Sequence, residues 1–123
     1  MTVDTSKRMP LEWASLLFHL ADAYRALETG DRENNLETAI ALYRSTWNTY
    51  TPENYPFEWA ASQNNCGNAY QELTRGSRQA NMEAAAACYE NAIRIFIVLQ
   101  MEEHVQGIRS NLVKVQQTLQ NLH

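Results

Sequence analysis

An internal repeat with a period of 46 residues limits the fold of this chain more than any other feature of its sequence. When the sequence is compared with itself at that shift, residues 10–55 align with residues 56–101 with 14 identities in 46 positions. The run Pro10-Leu11-Glu12-Trp13-Ala14, for example, aligns with Pro56-Phe57-Glu58-Trp59-Ala60. Self-similarity at a period of about 20–50 residues is typical of proteins built from stacked structural units.

Apolar residues within each repeat follow the period of an α-helix. Trp13, Leu16, Leu20 and Leu27 fall on one face of a helix, and a second apolar stripe follows Gly30. The pattern predicts five helices, at about residues 10–29, 35–51, 56–75, 81–99 and 103–121.

Residues that favour helix ends recur at the same places in both repeats. Gly30 and Gly76 suit the left-handed conformation that closes a helix. Asn35 and Asn81 have side chains that can cap the second helix of each repeat. We therefore expect each repeat to be a helical hairpin.

A helical hairpin has an apolar face that it cannot cover alone, so neighbouring hairpins must stack to exclude water. The sequence predicts an all-α fold with two long repeats and a C-terminal capping helix. The expected boundaries are an N-terminal extension over residues 1–9, repeat 1 over 10–55, repeat 2 over 56–101, and the capping helix over 102–123.

The C-terminal segment has a narrow apolar seam on an otherwise polar helix. Its members recur at spacings of three and four: Val105, Ile108, Leu112, Val115, Leu119 and Leu122. Two interpretations remain open at this point. The seam can cover the exposed face of repeat 2, or it can pair with a second copy as a short coiled coil and form a homodimer.

Composition excludes several classes of partner. The 123 residues contain 10 Lys+Arg and 14 Asp+Glu without a basic block, so nucleic acid and anionic membranes are poor partners. The apolar runs are too short for a membrane-spanning helix, and we expect a cytoplasmic protein. Cys66 and Cys88 are too few for a disulfide framework and show no metal-ligand spacing, so neither a metal nor a cofactor is expected.

Repeat 2 resembles the tetratricopeptide repeat (TPR). Cys66-Gly67-Asn68-Ala69-Tyr70 is similar to its Leu-Gly-x-x-Tyr core, and Ala85, Tyr89 and Ala92 are similar to the small–aromatic–small pattern of its second helix. The period is 46 residues rather than the family's usual length of about 34. This long form resembles the repeats of bacterial, especially cyanobacterial, arrays that accompany caspase-like (CHAT) peptidase domains, in which Trp-Ala and Gln-Asn-Asn-Leu-Gly recur.

The resemblance implies a right-handed solenoid in which the first helices line a concave groove that binds a protein or peptide partner. The predicted partner-binding residues are Phe18, His19, Asp22, Arg25, Asn64, Asn65, Asn68, Gln71, Asn111 and Lys114. Asparagine and glutamine both donate and accept hydrogen bonds, so such a groove suits the backbone of an extended peptide. The alternative for Asn64 and Asn65 is that they are solvated or hold neighbouring helices in register.

Two classes of function follow from these features. The first is a non-catalytic interaction module or scaffold that binds a partner segment in the groove. The second is a structural unit that self-associates through the C-terminal seam. An enzyme is not expected: Cys66 with His19 or His104 would be a nucleophile and base, but Cys66 stands where the family has a buried leucine.

Overall fold

The computed structural model describes residues 9–122, and over that range the chain forms five α-helices and no β-strand. The helices are α1 (Pro10–Ala26), α2 (Arg32–Thr46), α3 (Pro56–Glu72), α4 (Arg78–Val98) and α5 (Glu102–Asn121). Each helix packs mainly against the next one in the sequence. The predicted all-α class and the five helices are therefore confirmed for these residues. The predicted N-terminal extension lies outside the described residues, apart from Met9.

The 46-residue period is visible in where the helices begin. Pro10 and Pro56 are the first residues of α1 and α3, and Arg32 and Arg78 are the first residues of α2 and α4. Proline suits the first helical position because its φ angle is already helical and its missing N–H has no partner there. The ends differ, since α2 stops at Thr46 whereas α4 continues to Val98.

The predicted caps of the second helices are wrong by one helical turn. The side chain of Asp31 accepts hydrogen bonds at the start of α2, and Ser77 does the same for α4. Asn35 instead donates to the Thr29 carbonyl at 3.0 Å, and Asn81 donates to the carbonyl of Arg75 at 3.0 Å. Both asparagines therefore hold the preceding loop against the helix rather than begin the helix.

The two loop glycines also differ from the prediction. Helix α1 ends at Ala26 and α3 at Glu72, and each is followed by a leucine in extended conformation. Gly30 and Gly76 lie further on, with φ angles of +79° and +84°. This left-handed backbone favours glycine, but it turns the chain into the next helix rather than closing the previous one.

A buried tyrosine fills the interior of each hairpin. Tyr43 on α2 and Tyr89 on α4 are fully buried, and they are 46 residues apart. A Cβ atom placed on Gly67 of α3 would lie 2.8 Å from Cε1 of Tyr89. Glycine at this position therefore lets the tyrosine ring lie directly against the α3 backbone.

The two hairpins join where one face of α3 packs against α2. Cys66, Ala69 and Leu73 are buried in one cluster with Leu36 and Tyr43. Ser62, also fully buried, is the polar part of the same face. Its hydroxyl lies 2.8 Å from Oγ1 of Thr46 and accepts a hydrogen bond from the Trp47 indole at 3.1 Å. The junction is therefore both apolar and specific in register.

A polar clasp reinforces this junction at its edge. The Glu33 carboxylate accepts hydrogen bonds from the backbone N–H groups of Thr74 at 2.7 Å and Arg75 at 2.6 Å. These backbone donors lower the pKa of Glu33, so the carboxylate stays charged and the clasp stays formed to more acidic pH. The start of α2 is thereby tied to the loop after α3.

Helix α5 covers the face of α4 that the hairpin leaves exposed. Val105, Ile108 and Val115 are buried in a cluster with α4 residues, and Leu112 and Leu119 pack against its edge. Before α5, Gln100 adopts a φ angle of +59° and the Met101 N–H donates to the Phe96 carbonyl at 2.9 Å, which closes α4 with a left-handed residue. Most of the predicted seam is thus buried within the chain. Leu122 remains 42% exposed.

No helix formed by residues 9–122 combines the length and the apolar character needed to cross a membrane.

The contact between Gly67 and Tyr89 predicts opposite effects for two glycine-to-alanine substitutions. Gly67→Ala forces the buried ring of Tyr89 to move, and overpacking of this kind costs about 1–3 kcal/mol, more than the helix-propensity gain of about 0.5–1 kcal/mol. We expect the free energy of unfolding to fall by about 1 kcal/mol.

Gly107→Ala on α5 is the matched control, because a Cβ atom there meets nothing within 4 Å. This variant should be more stable than the wild type by about 0.5–1 kcal/mol. Urea denaturation followed by circular dichroism measures both changes. Equal stabilisation by the two substitutions would show that Tyr89 does not lie against Gly67.

Candidate functional site

The ten predicted partner-binding residues lie on three helices. Helix α1 carries Phe18, His19, Asp22 and Arg25; α3 carries Asn64, Asn65, Asn68 and Gln71; α5 carries Asn111 and Lys114. His19 and Lys114 are exposed and the other eight are half-buried. All ten can therefore be reached in part from solvent.

Asp22 is the centre of a polar cluster that joins the two repeats. Its Oδ1 atom accepts a hydrogen bond from the Tyr43 hydroxyl and a second one, at 3.0 Å, from Nδ2 of Asn65. Burial and the bond to Asp22 raise the pKa of Tyr43, so the hydroxyl keeps the proton that it donates. The cluster connects α1, α2 and α3 through three side chains.

The second repeat contains the counterpart of this arrangement. The Tyr89 hydroxyl lies 2.6 Å from Oδ1 of Asn68 and 2.9 Å from Oε1 of Gln71. Asn68 stands 46 residues after Asp22, as Tyr89 does after Tyr43. Four of the predicted binding residues therefore lie within hydrogen-bonding distance of a side chain on another helix, and the interpretation of Asn65 as a residue that holds neighbouring helices matches its geometry.

Arg25 is paired rather than free. Its guanidinium lies 3.5 Å from Oε1 of Glu72, and Arg32 donates to Oε2 of the same carboxylate at 2.7 Å. Two guanidinium groups therefore share one carboxylate at this end of the α1–α3 surface, and the three groups together carry a net charge of +1.

The two predicted residues of α5 stand apart from the others. Helix α5 packs against α4 and makes no extensive contact with α3. No side-chain hydrogen bond between residues 9 and 122 joins Asn111 or Lys114 to the residues of α1 and α3. The Asn65–Asp22 hydrogen bond joins members of this set on α1 and α3 directly, whereas the pair on α5 makes no such bond to them.

A cavity of about 230 Å³ opens between the N-terminal halves of α1 and α3. Its lining consists of Ser15, Phe18 and His19 of α1, Phe57, Glu58 and Ala61 of α3, and Tyr50 from the connection between them. Only Phe18 and His19 were among the predicted site residues. Burial and the nearby Glu58 carboxylate raise the pKa of Tyr50.

Glu58 recurs in the sequence as the counterpart of Glu12, but this recurrence alone indicates a role at the helix end and not in a cavity. Glu12 and Glu58 recur at the third position of α1 and α3, where a carboxylate favours the positive end of a helix. Only the packing of α1 against α3 shows that Glu58, unlike Glu12, lies in a cavity.

The cysteines lie inside the fold. Cys66 and Cys88 are free thiols and both are buried. The Cys66 S–H donates a hydrogen bond to the Cys88 sulfur, and this bond together with burial raises the pKa of Cys66, which disfavours the thiolate that a nucleophile needs. His19 is exposed and hydrogen-bonds the Ser15 carbonyl, whereas His104 packs against Phe96. In the described part of the chain, no group of three His, Cys, Asp or Glu side chains could hold a metal ion.

Comparison with protein-family models, curated proteins and solved structures found no match to this chain. The resemblance to the tetratricopeptide repeat therefore stays a prediction from the residues quoted above.

The hydrogen bond between Asn65 and Asp22 predicts that alanine substitutions of two asparagines 46 residues apart differ in their effect on the free energy of unfolding. Asn65→Ala removes the donor to the Asp22 carboxylate and should lower the free energy of unfolding by about 1 kcal/mol. Asn111→Ala, at the same position of the third unit, loses no bond to another helix and should change stability by less than about 0.5 kcal/mol. Chemical denaturation of both variants measures the difference. Equal effects would show that the Asn65–Asp22 bond does not stabilise the junction.

Proposed function

We propose that this chain is a non-catalytic interaction module that binds an extended peptide or partner segment along the α1–α3 surface. The observation that carries this proposal is the state of Asn64. Its Oδ1 atom is buried without a hydrogen-bond partner, while its Nδ2 donates to Asn65. A buried acceptor without a donor is costly, and the backbone N–H of a bound peptide is a suitable donor.

The internal hydrogen bonds give the remaining polar residues two roles in this proposal. Asp22, Asn65, Asn68 and Gln71 hold the helices in position, and each keeps part of its hydrogen-bonding capacity for a ligand. Phe18, which also packs against the Tyr43 ring, then contacts the partner together with His19 and Asn64. Asn111 and Lys114 would extend the site only for a partner long enough to reach α5.

We also propose that the repeats are of the long tetratricopeptide type and that the hairpins form a right-handed solenoid. The close approach of Tyr89 to Gly67 supports this, because both residues stand at positions that match the family pattern. Ala85 and Ala92, on either side of Tyr89 in the pattern, are fully buried. Small residues at these positions let neighbouring helices approach each other closely.

The groove proposal predicts the effect of removing the Asn64 side chain. Peptides selected from a random display library against the wild-type chain should shift backbone amide resonances of α1 and α3 in nuclear magnetic resonance spectra. Asn64→Ala should weaken binding of the selected peptides about tenfold, because the loss of one or two hydrogen bonds costs about 1.4 kcal/mol.

Asn48→Ala is the matched control, since Asn48 is exposed after α2 and does not line the α1–α3 surface. Peptide binding should be unchanged in this variant. Selected peptides that shift only amides of α2 and α4, or a library that yields no binder, would contradict the groove proposal.

A second candidate function is self-association, and the exposed face of α1 favours it. Leu16, Leu20 and Leu27 are 57%, 42% and 40% exposed. Their counterparts in α3 are Ser62, Cys66 and Leu73, which α2 buries at the junction between the repeats. The C-terminal seam that the sequence suggested for pairing is mostly covered by α4. We therefore place a homodimer contact on α1, against α1 of a second copy, in a symmetric interface.

Self-association predicts a dimer that two substitutions on α1 dissociate. Sedimentation velocity should show a dimer for the wild type and a monomer for Leu16→Lys with Leu20→Lys, because lysines on both copies bring four like charges into the interface. Val113→Lys on α5, where the valine is 50% exposed, should leave the dimer intact. A wild-type monomer at all concentrations would exclude this candidate.

A further inference from the structure

The cavity between α1 and α3 has the size of a site for one side chain. Its volume of about 230 Å³ is below the range of about 300–1,000 Å³ that small-molecule sites occupy. Three aromatic side chains besides His19 line it, namely Phe18, Tyr50 and Phe57, and Phe57 is 42% exposed. The space therefore suits a slender group with an apolar stem.

Glu58 lines this cavity, and one oxygen of its carboxylate has no hydrogen-bond partner among the described residues. Oε2 of Glu58 is buried and has no hydrogen-bond partner. None of the ion pairs formed by residues 9–122 involves Glu58. The start of α3 favours the charge, but a shielded carboxylate oxygen gains most from a cationic donor at hydrogen-bonding distance.

Repeat 1 shows that this arrangement depends on the junction and not on the glutamate alone. Glu12 occupies the same helical position as Glu58 and is exposed. The cavity needs the side chains of α1 beside the first turn of α3, and no described helix lies in that position beside α1. Glu12 therefore serves as an internal control: it has the same position at the start of a helix as Glu58, but it does not line a cavity of this kind.

We infer that this cavity binds the side chain of a single lysine or arginine of the partner peptide, with the charged head at Oε2 of Glu58. The aliphatic stem packs against Phe18 and Phe57, as long basic side chains do on apolar surfaces. The aromatic rings add cation–π attraction to the head group. This inference rests on the proposed peptide groove and adds a preference for a basic residue at one peptide position.

The first test uses small probes that do not depend on the groove. Butylammonium should shift the amide resonances of Phe57, Glu58 and Ala61 in a saturable manner, and butanol, which lacks the charge, should not. Glu58→Gln should weaken butylammonium binding at least about tenfold, since a charge-assisted hydrogen bond is lost. Glu12→Gln should have no effect. Equal binding of butanol, or equal binding to the Glu58→Gln chain, would show that the cavity is only apolar and overturn the inference.

Two further variants keep the test decisive. Circular dichroism shows whether Glu58→Gln is folded. If it is not, Phe57→Leu replaces it as the test variant. This substitution introduces the residue that repeat 1 has at position 11, and it should weaken butylammonium binding. Lys7→Gln with Arg8→Gln tests the chain's own basic residues, which lie outside the described range. If butylammonium binds this variant and not the wild type, Lys7 or Arg8 of the chain itself occupies the cavity. That result would contradict a partner's side chain as the occupant.

The second test separates this inference from the proposed function. A peptide selected on the groove is compared with the version in which its arginine is replaced by citrulline, an uncharged isostere. The arginine peptide should bind at least about tenfold more tightly. Equal affinity would contradict the cation site and leave the peptide groove standing. Binding of butylammonium without binding of any peptide would support the cation site and contradict the groove.

Discussion

The packing of α3 against α2 holds the two hairpins together, and the position of every candidate binding residue depends on it. Cys66, Ala69 and Leu73 exclude water at this junction, and the Ser62 hydroxyl fixes its register through Thr46 and Trp47. Burial of apolar surface supplies most of the attraction, whereas the polar contacts select one alignment of the helices. Without this alignment Asn65 would not meet Asp22, and no cavity would form beside Glu58.

The helices could be predicted from the sequence because their signals are local. Apolar residues at helical spacing and the prolines at positions 10 and 56 lie within the elements that they define. The caps were mistaken because Asp31 and Asn35 are both good capping residues. The choice between them depends on the loop, where the Asn35 side chain is already used by the Thr29 carbonyl.

The candidate site was harder to predict because its geometry depends on residues far apart in the chain. Asp22 and Asn65 are separated by 43 positions, and neither residue type shows that the two form a bond. The resemblance to the tetratricopeptide repeat led to the prediction of eight binding residues that lie on α1 and α3. The sequence left open that Asn65 holds neighbouring helices in register, but it gave no such indication for Asp22, Asn68 and Gln71. It missed Tyr50, Phe57 and Glu58 because a cavity is a property of two packed helices.

The two ends of the stack differ, and the difference bears on the kind of assembly that the chain can form. Helix α5 closes one end with an outward surface that is largely polar, whereas α1 leaves leucines uncovered at the other. A filament forms when each subunit has two different, complementary interaction surfaces, one for each of its two neighbours. A symmetric contact of α1 with α1 of a second copy would use the α1 surface of both copies, so growth beyond a pair would need another contact elsewhere on the chain.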